Sequence, residues 1–126
     1  MPNEAIHLQQ ARRNRDFVLH LVSTSNQIPS TVADVARQWA VTASFYAAVH
    51  AVEAHFATLG VHHRTHAGRE WDMARDTTLP PAIRAQYAQM KAWSMLARYE
   101  GRQFTAQYVT TNVLPTLANI LTHFGI

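Results

Sequence analysis

Cysteine is absent from the 126 residues, which excludes disulfides and thiolate metal sites. Charged residues make up only 15% and lysine occurs once, so ten of the eleven basic residues are arginine. No apolar run reaches the roughly 18 residues that a bilayer span needs, so no membrane partner is expected. The opening MPNEAIHLQQARRNRD has no apolar core of the secretory-signal kind, and a cytoplasmic location is the default expectation. The chain has no Gly-rich phosphate loop and no nucleophile elbow, and no H-E-x-x-H motif or pair of E-x-x-H motifs. These absences argue against the common nucleotide-cradle, serine-hydrolase, zincin and di-iron designs. Repeats and low-complexity stretches are also lacking.

What is present is a single domain, residues 1–126, with 48% hydrophobic residues, enough for one core. The net charge of +3 and a pI near 9.8 invite a nucleic-acid partner. An arginine-rich, alanine-rich composition also arises in GC-rich genomes without selection for binding. Arg12, Arg13 and Arg15 cluster, and a solvated helix face accounts for them equally well.

Apolar spacing is helical throughout, and no segment alternates with period two for long. Asn3 fits the N-cap of a first helix over about 4–24, carrying Ile6, Phe17, Leu19, Leu21 and Val22. The run STSNQIPS is a loop. Thr31 and Asp34 have capping-box spacing and start a second helix over about 31–59, with Gly60 as its stop. Thr65 suits the cap of a short third helix to about Arg75. Prolines near Pro80 open a fourth helix that ends about Arg98, before Glu100-Gly101. The last helix starts near Thr105, and Pro115 is expected to kink or split it. The predicted fold is all-α: an up-and-down antiparallel four-helix bundle with an additional short helix. Trp39, Trp71 and Trp93 are read first as core residues and second as interface residues.

The second helix carries an anomaly. It is apolar nearly all round, yet Thr42, Tyr46, His50 and Glu53 share one of its faces. Such a stripe needs partners, because an unpaired buried polar group costs about 1–3 kcal/mol. One reading makes His50 a proton carrier oriented by Glu53; the other makes the stripe a hydrogen-bonded core network. Downstream lie His62, His63, Arg64 and His66, with Arg69 on the face of His66. His50 and this cluster could offer imidazoles to a metal, but their spacing fits no recognised template, and no metal or cofactor is expected. Arg98 sits four residues after Ser94 and beside Tyr99. If the second and fourth helices meet, Tyr46, His50, His66, Arg69 and Arg98 line one basic pocket; otherwise Arg98 only caps its helix.

The segments FYAAVHAVEA (45–54), GVHHRTHAGR (60–69) and YAQMKAWSMLARY (87–99) resemble HEPN-domain proteins, in particular small bacterial and archaeal ones. The resemblance covers about residues 36–124. It implies a helical bundle, usually a homodimer, and in many members a metal-independent ribonuclease of toxin–antitoxin or defence systems, encoded beside a nucleotidyltransferase antitoxin. The family's activity depends on R-x(4–6)-H near the start of the last helix. This chain has no histidine after Arg98 or Arg102 there; the spacing recurs only from Arg13 and Arg15 to His20. The implied function is a ribonuclease acting on RNA through His66, His50, Arg69, Arg98 and Tyr46. The alternative is a non-catalytic homodimer that binds nucleotide, nucleic acid or a partner nucleotidyltransferase. A homodimer is expected to bury the outer faces of the fourth and last helices.

Overall fold

The computed structural model describes residues 2–126, and among these the chain forms helices and no strands. The elements are α1 (Glu4–Ser25), α2 (Ser30–Ala57), α3 (His66–Arg75), α4 (Pro81–Tyr99), α5 (Ala106–Tyr108) and α6 (Leu114–His123). A π-helical turn, Val109–Val113, joins the last two into one continuous rod. No described helix is long and apolar enough to cross a membrane.

α2 is the axis of the bundle and packs against α1, α4 and α6. Ala40, Val41, Phe45, Ala47, Ala48, Ala51 and Val52 are fully buried, on every side of the helix. Alanines let the neighbours approach closely, and Phe45 fills the space toward α4, edge-on to Tyr87. Contacts near opposite ends of each chain segment set the directions. His7 meets His50, and Ala97 and Arg98 line one groove with Gln38 and Trp39, so α1 and α4 both run antiparallel to α2. Tyr87, Met90, Trp93 and Ala97 complete the core from α4, with Val109, Val113, Leu117, Ile120 and Leu121 from the last rod.

Local signals act largely as their chemistry dictates. The Asn3 carboxamide accepts from the Ile6 amide, and the Thr65 hydroxyl from the Gly68 amide. Gly60 has a positive φ of 72°, and beyond it the Val61 amide reaches back to the Phe56 carbonyl. Its site is open, with no atom near an added Cβ, so Gly60→Ala tests backbone strain alone. The expected loss is about 1 kcal/mol in urea unfolding, without a change in fold.

Three expectations need correction. The Thr31–Asp34 capping box does not form: α2 starts one residue earlier behind Pro29, and Asp34 instead binds Arg37 at 2.7 Å. Ile6, Phe17 and Leu19 do not face the core. α1 packs through His7, Ala11, Val18 and Ser25, and those three apolar side chains are about half exposed. Of the tryptophans only Trp93 is core, its indole N–H donating to the Tyr108 hydroxyl. Trp39 and Trp71 are exposed. Pro115 is accommodated by the π turn: the Leu114 amide bonds five residues back to Val109, which relieves the clash between the proline ring and the preceding turn. Among the described residues the large exposed apolar side chains lie on α1, on the first half of α2, at Leu59 just beyond α2, on α3 (Trp71) and on α4 (Met95, Tyr99), with none on the last rod.

Candidate functional site

Three members of the polar stripe of α2 engage different elements: Tyr46 meets α4, His50 meets α1, and Glu53 meets α3 and the loop before it. Glu53 is buried where the α2–α3 loop and α3 cross the helix. Its Oε1 accepts from Arg69 Nε at 2.6 Å and from His63 Nδ1 at 2.9 Å. The other His63 nitrogen faces Asp72 Oδ2 at 2.6 Å. Both contacts are hydrogen bonds only when the ring carries both protons. Two carboxylates thus face one imidazole and one guanidinium. The buried members, Glu53, His63 and Arg69, are all paired, and Asp72 closes the cluster at the surface.

Arg69 carries this cluster outward. Its NH1 donates to His66 Nδ1 at 2.9 Å and lies 3.4 Å from the Tyr87 hydroxyl. Burial pushes the Tyr87 hydroxyl up to about 12, so it stays protonated. Because His66 Nδ1 accepts from a guanidinium, the ring's single proton is on Nε2. Burial, then Arg69 and Lys91, lower the His66 pKa, so the ring is neutral at pH 7. Its Nε2–H makes no hydrogen bond among the described residues.

His66 lines a cleft of about 370 Å³ between α2, α3 and α4, together with Tyr46, Lys91, Met95, Arg98 and Tyr99. Arg98 NH1 donates to the Tyr46 hydroxyl at 2.9 Å, and its NH2 lies 3.5 Å from Ser94 Oγ. The Tyr46 oxygen thus accepts from Arg98, which leaves its own hydrogen free to donate. The guanidinium stands 4.9 Å from the Tyr99 ring centre and 5.5 Å from that of Tyr46. Arg98 Nε is buried without a partner, and no described carboxylate pairs with this half-buried cation. Lys91, by contrast, is held by both oxygens of Glu70 at 2.9 and 3.0 Å. No carboxylate lines the cleft. The free groups are all donors: the His66 Nε2–H, the Tyr46 hydroxyl and the Arg98 guanidinium. Such a set receives an anion, and its aromatic walls suit a ring attached to it.

Of the five sequence candidates, Tyr46, His66 and Arg98 share the cleft wall, and Arg69 lies behind them as a buried support. His50 is not with them. It faces α1, with its Nδ1 3.0 Å from that of His7. Burial lowers the pKa of both rings, with His7 and Arg69 adding at His50 while Glu53 opposes. The histidines weighed as a metal cluster also diverge. His50 pairs with His7, His63 with carboxylates and His66 with Arg69, and His62 is exposed. No described group of three or more metal-ligating side chains converges.

A pH dependence follows from the buried imidazoles. A histidine whose folded pKa is below its unfolded 6.5 adds stability that is complete above pH 6.5. That stability is lost as pH falls through the folded value. The urea midpoint at about pH 5.5 is therefore expected below that at about pH 7.5, and His7→Gln is expected to shrink the difference. An equal drop in the variant contradicts the assignment to this pair.

His7, Asp72 and Lys91 were not singled out as site residues from the sequence, and His63 was weighed only as a metal ligand. Lys91 had a legible signal, lying three and seven residues before Ser94 and Arg98 on one face of α4. The partners of Glu53 and His50 come from other elements and leave no local trace. Comparison with protein-family models, with characterised proteins and with solved structures finds no match, so similarity places the chain in no family.

Proposed function

We propose that this chain is a HEPN-type helical bundle that binds a phosphodiester of RNA, or a nucleotide, in the cleft around Arg98, and that it binds without cleaving. The observation that carries the reading is Arg98: a half-buried guanidinium with no carboxylate, one unpartnered buried nitrogen and two aromatic rings beside it. A phosphate supplies the missing counter-charge in bidentate geometry. The His66 Nε2–H and the Tyr46 hydroxyl add neutral donors to the same oxygens. The three sequence segments that resemble HEPN proteins contribute the site's residues, in agreement with this reading.

Binding is favoured over catalysis by the tautomer of His66. Attack of a ribose 2′-hydroxyl on its phosphate calls for a general base facing the sugar, and in a cleft that no carboxylate lines this is an imidazole lone pair. Here the lone pair is spent on Arg69, and the side open to the cleft is N–H. His50, the other candidate base, is occupied by His7.

The test is fluorescence anisotropy with a labelled single-stranded RNA at low salt, with EDTA present and the RNA analysed on a gel afterwards. The expected result is saturable binding that weakens as salt rises, with intact RNA. Cleavage that His66→Ala abolishes replaces this reading with the ribonuclease one. Absence of binding at about 100 μM protein overturns both.

A further inference from the structure

Arg98 borders a second hollow. On its far side a groove of about 330 Å³ is lined by Gln38, Trp39, Thr42 and Ala97. Both spaces are at the small end of the range for one small-molecule site. Neither is lined by a carboxylate. Each has an exposed aromatic ring at its edge: Tyr99, 72% exposed, beside the first, and Trp39, 58% exposed, beside the second.

Trp39 differs from the other two tryptophans. Trp93 is buried and bonded to Tyr108. Trp71 is exposed, but the Arg75 guanidinium covers its face at 3.3 Å from the ring centre. No described ring or cation stacks on Trp39. A large apolar ring held open to water on the first half of a rigid helix is a surface that a planar ligand can cover. Next to it, Gln38 Nε2 donates to the Arg102 carbonyl, which fixes the carboxamide and leaves its oxygen free for a donor on a base edge.

We infer that Trp39 is a second base platform, so the ligand is a single strand of at least two nucleotides draped across Arg98. The shared phosphate sits on Arg98, one base lies in the Tyr99 cleft, and the next stacks on Trp39. The inference rests on the phosphate-binding reading of the cleft. Charge selects this occupant. A half-buried cation between two aromatic hollows without acidic lining matches a polyanion carrying planar rings. Stacking of this kind tolerates any base sequence.

The experiment compares two ligands of equal charge by NMR titration: uridine 3′-methyl phosphate, with one base, and the dinucleoside UpU, with two. Wild-type protein is expected to bind UpU about 5- to 100-fold more tightly, the range for one stacked base. Trp39→Ala removes that advantage and leaves the methyl ester unaffected, while Trp39→Phe keeps much of it. Trp39 is exposed, so the variants are expected to fold, and sedimentation of each checks their oligomeric state. Equal wild-type affinity for the two ligands overturns the inference and leaves the phosphate reading standing. So does a Trp39→Ala protein whose oligomeric state changes while its preference for UpU persists, which assigns Trp39 to a contact between copies of the chain. If neither ligand binds, the phosphate reading fails and the inference with it.

Discussion

Glu53→Ala is expected to cost about 3–5 kcal/mol of folding stability, the range for removing one partner of a buried ion pair. The variant leaves the Arg69 guanidinium and the His63 ring, with side chains only 8% and 4% exposed, without the oxygen both of them use. A domain of this size has about 5–15 kcal/mol in total, so the loss shows as a large fall in the urea midpoint. Asp72→Asn is expected to cost much less, because that carboxylate is 38% exposed and water replaces it. A double variant, Glu53→Gln with Arg69→Met, recovers part of the loss by removing both charges together. A fall of under about 1 kcal/mol for Glu53→Ala means that the cluster does not hold the loop and α3 against α2.

Arg98→Gln has the opposite profile. RNA affinity is expected to drop about 10- to 100-fold, with the salt slope reduced by about one, because a phosphate contact has gone. Stability is expected to hold or rise slightly, since the guanidinium has no carboxylate to lose and one buried nitrogen already lacks a partner. Anisotropy and thermal unfolding of the same preparation read both quantities. Equal affinity with lower stability contradicts the assignment and makes Arg98 a structural link between Tyr46 and Ser94. The two substitutions thus separate what holds the site from what the site holds.

The helices and their stops were legible because they depend on neighbours in sequence. Asn3, Thr65, Gly60 and the prolines that open α4 act within one turn of themselves. The polar stripe of α2 was legible for a related reason: four polar residues on one face of an apolar helix require partners wherever they come from. Which partners was not legible. His63 reads as a loop histidine until the loop folds back and sets it between Glu53 and Asp72. His50 points to α1 rather than to the cleft, because α1 buries His7, Ala11 and Val18 and leaves its larger side chains in water. A count of bulky residues misplaces that face, since close packing against the alanines of α2 selects small ones. Trp39 was misread as core for the same kind of reason: its size argued for burial, while the register set by Ala40 and Val41 turns it outward.

The proton on His66 decides between an anion receptor and an acid–base catalyst, and ring ¹⁵N NMR of this residue at neutral pH observes it directly. The expected spectrum has a bare Nδ1 and a protonated Nε2, unchanged in tautomer when RNA is added. A bare Nε2, open to the cleft, contradicts this and makes His66 a general base.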